Sequence, residues 1–223
     1  MPESIVKHTL KTAITMIAFA FVGTAMLAYV FEITRAPIEA SEKEARLALF
    51  KQILPEHSYD NDLLKDTVQI APNALLGNAL ATEANIAKIN NKAAGVILEA
   101  IAHDGYSGDI KLLIAIRADG SISGVRVLAH KETPGLGDYI DIARGNWIKL
   151  FNGESLSKTT AKQVIETGWQ VKKDGGKFDY MVGATITPRA VVKAVLKALQ
   201  FFEANKQMLF ADLNTDKLQK VKG

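Results

Sequence analysis

An α+β fold behind a single N-terminal transmembrane helix is what the sequence predicts, and three observations carry that expectation. Residues 12–31 (TAITMIAFAFVGTAMLAYVF) form an uncharged run closed by Lys11 and Glu32. Residues 110–118 and 121–129 are two β-rich runs joined by Asp119-Gly120. Thr187-Pro188 opens a strong helical pattern, VVKAVLKALQFFEAN.

Twenty helical residues rise about 30 Å, the thickness of a bilayer's hydrocarbon core. Lys7, His8 and Lys11 precede the run and only Glu3 opposes them. The positive-inside bias therefore keeps the N-terminus in the cytoplasm and exports the chain beyond Glu32. A cleaved signal peptide is the competing reading, but its apolar core is shorter and ends at a small-residue site. Here the run is full length and no such site closes it. A buried core helix is a third reading, a poor match to a uniformly apolar segment at the start of a chain.

Residues 38–54 (IEASEKEARLALFKQIL) read as an amphipathic stalk helix, with Leu47, Phe50 and Leu54 on one stripe and Glu42, Glu44 and Arg46 off it. Pro55 ends it. Asn90-Asn91 is a turn between residues 86–89 and 95–101, and Asp119-Gly120 suits a type I′ turn. At the C-terminal helix, Thr187 is expected as N-cap and Pro188 as first helical residue. Val191, Val195, Leu199 and Phe202 make its core face, and the tail from Lys206 is polar and frayed. The expected organisation is a cytoplasmic N-terminus 1–11, transmembrane helix 12–31, stalk 32–58, domain 59–205 and tail 206–223.

Composition excludes several functions. The chain has 27 Lys and Arg against 24 Asp and Glu, a net charge of +3 with no concentrated basic face, so no nucleic-acid partner is expected. It has no Cys, which removes disulfides, thiolate-held zinc or iron–sulfur clusters and thiol catalysis. Electrons, if handled, need an organic cofactor. His130, Glu132 and Asp138 are conceivable metal ligands, but one loop without a second ligand cluster is a poor site, and no metal is expected.

Three stretches stand out for chemistry. Gly105-Tyr106-Ser107-Gly108 is a glycine-bracketed loop between strands, readable as a plain turn. Glu132-Thr133-Pro134-Gly135-Leu136-Gly137 comes after a strand, and its glycines let backbone approach a flat ligand closely, although a structural loop has the same composition. Asp179-Tyr180-Met181-Val182-Gly183-Ala184-Thr185-Ile186-Thr187-Pro188 runs into the helix, whose unpaired N–H groups and dipole favour an anion. With Thr187 engaged as cap, Thr185 has the free hydroxyl at that terminus.

The spacing Asp179…Gly183-Ala184-Thr185 resembles the flavinylation signature D-x-x-[S/T]-G-A-T of the FMN-binding domain family. The other two stretches resemble that family as well, in the same order. Length, single anchor and motif order resemble the G subunits of Rnf (Rsx) electron-transport complexes through nearly the whole chain. The C subunit of the sodium-pumping NADH:quinone oxidoreductase is a longer relative and an alternative. One position departs: Val182 stands where the signature has Ser or Thr.

The resemblance implies FMN joined through its phosphate to Thr185 by a flavin transferase, with Asp179, Gly183, Ala184 and Thr187 in the attachment segment. It implies an exported, inner-membrane-anchored electron carrier, ferredoxin- or NADH-linked, without catalysis of its own. Its partners would be the other subunits of the complex, which move Na⁺ or H⁺. The flavin ring is expected against Glu132, Thr133, Pro134, Gly135, Leu136 and Gly137, with Thr133 as hydrogen-bonding candidate and Leu136 as apolar wall. Tyr106 and Trp147 are candidate packing neighbours, each also readable as core. A docking module that kept the fold without the redox role is the reading from another class.

Overall fold

The computed structural model describes residues 2–156 and 168–211. The expected tail beyond residue 211 and the stretch 157–167 of the expected domain lie outside the described residues. Two units divide the chain, residues 1–46 and 47–223.

Helix α1 spans Pro2–Ile53. It is one helix, where the sequence suggests a membrane span with a separate stalk helix after it. Pro37 sits inside it and cannot donate to the carbonyl of Ile33, yet the helix does not stop there. In the first unit the helix is exposed on all sides, and it is long and apolar enough to cross a bilayer. The hydroxyls of Thr12, Thr15 and Thr24 each donate to the carbonyl four residues back. Polar atoms are thus satisfied within the helix, as an apolar surrounding requires.

The second unit is built on a five-stranded antiparallel meander in the order β1-β2-β3-β4-β5. The strands are β1 Thr67–Ile70, β2 Thr82–Ile89, β3 Lys92–Gly105, β4 Gly108–Arg117 and β5 Ile122–Ala129. Period-two alternation sorts their side chains onto two cores. Ile110, Leu112, Ile114 and Ile116 of β4 join Val96, Leu98 and Ala100 of β3 on one face. Leu113 and Ala115 join Ala87 and Ile97 on the other. Helix α2, Ile186–Leu209, covers the first face with Val191, Val195, Leu199 and Phe202. The last turn of α1 and the residue after it cover the second with Phe50, Ile53 and Leu54.

That last turn is seated by two details. A Cβ on Gly124 of β5 would lie 2.9 Å from the Cα of Ile53, so only glycine lets helix and strand come this close. Arg126, 7 % exposed, donates to the Gln52 side chain and backbone carbonyl at 3.0 Å each. A guanidinium at a helix C-terminus meets the negative end of the dipole.

Turn chemistry agrees with the sequence reading, with one correction. Asn90 and Asn91 both take positive φ, 49° and 57°, as a two-residue hairpin of the I′ kind needs. At the second hairpin only Gly120 is left-handed, at 87°. Arg117 N–H donates to Ser121 O and Gly120 N–H to Arg117 O, which makes a three-residue loop and not the expected type I′ turn. Asp119 avoids a left-handed backbone because its carboxylate accepts from Ser121 N–H and hydroxyl at 2.8 and 2.7 Å. The end of α2 also differs from expectation. Residues beyond Lys206 stay helical to Leu209, because Leu209 and Phe210 are buried and Phe210 meets the Phe202 ring edge-on at 6.1 Å.

His103 ties the 73–78 loop to the β3–β4 hairpin. Its Nδ1 lies 2.9 Å from Asp109 Oδ1 and its Nε2 2.8 Å from Gly77 O. Both partners only accept, so the pair of contacts favours the imidazolium, which can donate from both nitrogens. The Asp109 carboxylate first, then the Gly77 carbonyl, raise its pKa above the ordinary 6.5. A raised folded pKa gives stability that is complete below 6.5 and lost as pH rises through the folded value. The side chain is 58 % exposed, so solvent screening holds the effect to about 1 kcal/mol or less. Urea melts of the full chain across neutral pH should show this decline, and His103→Asn should flatten it.

Candidate functional site

At one end of the sheet the three stretches meet. The β3–β4 turn, the loop after β5 and the approach to α2 enclose a cleft of about 210 Å³. Tyr106 lines it from the first, Glu132, Thr133, Leu136 and Gly137 from the second, and residues 183–187 from the third.

Glu132 joins all three. It is 4 % exposed, and its Oε1 accepts the Ser107 N–H at 3.0 Å. Its Oε2 accepts the Thr187 hydroxyl. Two glycines make room for the carboxylate: a Cβ on Gly137 would lie 2.9 Å from Oε2, and one on Gly105 3.0 Å from Oε1. The loop around it is tightly wound. Leu136 and Gly137 N–H both donate to Thr133 O. Gly135, at φ 76°, donates to Asp138 Oδ1 at 2.8 Å. These bonds turn Leu136 outward, 48 % exposed at the cleft, opposite Tyr106 at 69 %.

The third wall is a turn that feeds the helix. Ala184 N–H donates to Met181 O at 3.1 Å, and Gly183 at its third position takes φ 91°, which a side chain would strain. Thr185 comes next, as N-cap. This corrects the sequence assignment of Thr187 as cap: Thr187 is 1 % exposed, lies inside the helix, and gives its hydroxyl to Glu132. Pro188 falls in the first turn, where its missing N–H breaks no bond. The Thr185 hydroxyl makes no hydrogen bond among the described residues, and it opens on the cleft.

Tyr139, from the 3₁₀ turn Asp138–Ile140, backs this wall. Its hydroxyl accepts Met181 N–H at 3.3 Å and donates to Ala184 O at 3.4 Å. Burial pushes its pKa up to about 12.

The cleft thus collects Tyr106, Glu132, Thr133, Leu136, Gly137, Gly183, Ala184, Thr185 and Thr187. Pro134 and Gly135 shape the loop without lining it. Asp179 stands off, its carboxylate 2.5 Å from Lys172 Nζ and its carbonyl 2.6 Å from Trp147 Nε1. Trp147 packs edge-on against Tyr139 and Phe151, behind the wall. Val182 is 86 % exposed, so the hydroxyl that the signature would place there has no partner to lose among the described residues. Ile186 and Ser107 lie inside stretches that the sequence singles out, but neither is named there as a contact: Ile186 lines the cleft between two chosen threonines, and Ser107 acts through its backbone N–H. Tyr139, 45 residues from Ala184, is missed altogether and had no signal in the sequence.

The donor set suits a flavin mononucleotide. Thr185 and the first amides of α2 offer a hydroxyl, unpaired N–H groups and a positive dipole end for a phosphate. Tyr106, Leu136 and Ile186 offer apolar surface for a ring at the open side.

Comparison with known proteins places the chain in a family. The family described as FMN-binding domain matches residues 105–200, and the RnfG N-terminal region matches residues 1–53. The G subunit of the ion-translocating oxidoreductase complex of Pseudomonas aeruginosa PAO1 is 46 % identical over 205 residues, 92 % of this chain and 94 % of that one. Its counterpart in Aliivibrio fischeri MJ11 is 39 % identical over 199 residues, covering 89 % and 92 %. Shewanella oneidensis NqrC, known from its crystal structure, superposes with a TM-score of 0.43 at 22 % identity, covering 70 % of this chain and 75 % of that one. On the extent and identity of the first two matches, the chain belongs to the G-subunit family of ion-translocating oxidoreductase complexes and contains that family's FMN-binding domain.

Proposed function

We propose that this chain is the electron-carrying subunit of such a complex, with FMN joined to Thr185 by a phosphoester. The observation that supports the attachment point is the Thr185 hydroxyl. It is free of partners among the described residues, it faces the cleft, and it sits at the N-terminus of α2. Thr187, the other hydroxyl at the start of α2, is buried and engaged with Glu132.

In the attachment step the Thr185 Oγ–P bond forms as the P–O–P bond of FAD breaks. AMP leaves and the hydroxyl proton is lost to the flavin transferase's base or to water. The ester keeps a negative charge beside the helix N–H groups, where the dipole stabilises it. Bound FMN supplies one- or two-electron transfer. The protein's part is to hold and orient: the 183–187 backbone holds the phosphate, Thr133 hydrogen-bonds the flavin, and Tyr106 and Leu136 flank the ring. Pro134 and Gly135 act by fixing the loop, and Asp179 and Trp147 by fixing the approach to Thr185.

Residues 12–31 serve as the single span of a bacterial inner membrane, residues 1–11 stay cytoplasmic, residues 32–58 form the stalk, and the FMN-binding domain from residue 59 is exported. The other subunits of the complex are the redox partners, and ion movement belongs to them, since the span of this chain carries no charge.

Intact and peptide mass on the full chain, exported in cells that contain the flavin transferase, tests the attachment. The expected result is FMN on the peptide that carries residue 185. FMN on Thr187 would keep the carrier role and move the residue. No covalent flavin would sink the mechanism and leave the docking-module reading.

A further inference from the structure

The turn that presents Thr185 is solvent-facing and short of support of its own. Met181 is 39 % and Val182 86 % exposed, and one internal bond, Ala184 N–H to Met181 O, closes it. Two side chains grip its backbone from inside the domain. The Tyr139 hydroxyl takes the Met181 N–H and gives its proton to Ala184 O, bridging both ends of the turn. The Trp147 indole N–H donates to Asp179 O at 2.6 Å, two residues before the turn.

These two rings are themselves fixed. Tyr139 meets Trp147 edge-on at 5.7 Å, and Trp147 meets Phe151 edge-on at 5.5 Å. Phe151 is fully buried and lies 4.8 Å from Phe178. The grip on the turn is therefore referred to the aromatic core and not to another loop. Burial that raises the Tyr139 pKa to about 12 keeps its donor proton in place at any working pH. Nothing in core packing alone requires both polar tips of these rings to end on backbone atoms of one six-residue segment.

We propose that Tyr139 and Trp147 are positioning residues that preset the 179–184 backbone, and so set the rate at which the Thr185 hydroxyl accepts its phosphoryl group. The inference rests on the attachment reading above. Orientation of a nucleophile is worth large factors in rate, and a small misplacement removes them.

The test uses the full chain in detergent, purified without flavin, then mixed with the flavin transferase and saturating FAD. Tyr139→Phe and Trp147→Phe each remove the hydrogen-bonding tip and keep an aromatic ring. Covalent flavin per unit time should fall about five- to tenfold in each variant. The unfolding midpoint should stay within about 2 °C of wild type. In Tyr139→Phe, the Met181 amide should exchange with deuterium faster while amides of the sheet do not. Unchanged incorporation rates would overturn the proposal, and so would a loss that only tracks a lowered unfolding midpoint. Wild type that takes up no flavin would overturn the attachment reading instead, and the wild-type arm alone reveals that.

Discussion

Thr185→Ala is expected to leave a colourless protein. The substitution removes one hydroxyl that has no partner among the described residues, so the fold loses nothing that the hydroxyl was holding. An N-cap threonine that makes no capping bond costs little when truncated, and stability should change by less than about 0.5 kcal/mol. Covalent flavin should nevertheless disappear entirely, because the other hydroxyl at the start of α2, that of Thr187, is 1 % exposed and committed to Glu132. Thr185→Ser restores the nucleophile and should restore the flavin, at a lower rate set by the freer rotamers of serine. Mass spectrometry reads the flavin and a thermal melt reads the fold. A Thr185→Ala protein that still carries covalent FMN would move the attachment elsewhere.

The second large effect lies at Glu132. In Glu132→Ala the Ser107 N–H and the Thr187 hydroxyl lose their acceptor, and the vacated side chain leaves a void between them. A buried donor left unpaired costs about 1–3 kcal/mol, so the two together cost about 2–6 kcal/mol. For a protein of this size that lowers the melting midpoint by roughly 4–24 °C. Removing a buried carboxylate also relieves its desolvation, which pulls the other way. Glu132→Gln decides between the two. It removes the charge, keeps an acceptor for Ser107, and places an amide donor against a hydroxyl that can turn to accept. If hydrogen bonding dominates, Gln is milder than Ala by more than about 1 kcal/mol and still destabilises relative to Glu. A Gln variant that melts above wild type would show that desolvation wins.

Elements with a strong period or a distinctive turn were legible in the sequence. The apolar run, the core face of α2 and the Asn90-Asn91 hairpin announce themselves locally, because each is decided by residues within one or two turns. The three stretches that line the cleft were also legible, through composition and order. Their mutual geometry was not. Thr187 looks like an N-cap because threonine before proline suits one; its hydroxyl instead serves a glutamate 55 residues away. Tertiary demand won over local propensity there, and it did so again at Leu209 and Phe210, where burial extends a helix that looks frayed. Asp119-Gly120 illustrates the converse. A dipeptide that suits one tight turn forms a longer loop because the aspartate carboxylate finds Ser121 first. Tyr139 has no local signature at all, and Trp147, named from the sequence only as a packing neighbour of the ring, instead reaches the Asp179 carbonyl with its indole N–H.

The Glu132 contacts also have an order in time. They join Ser107 to a residue 25 positions later and Glu132 to one 55 positions later, so the cleft is assembled from parts that leave the ribosome far apart. A chain made from its N-terminus can complete the sheet early, since every strand pairs with its neighbour in sequence. The cleft must wait until α2 exists and has docked. Cofactor attachment that depends on this geometry is then the closing event of maturation, and a flavin-bearing chain is one that has already finished folding.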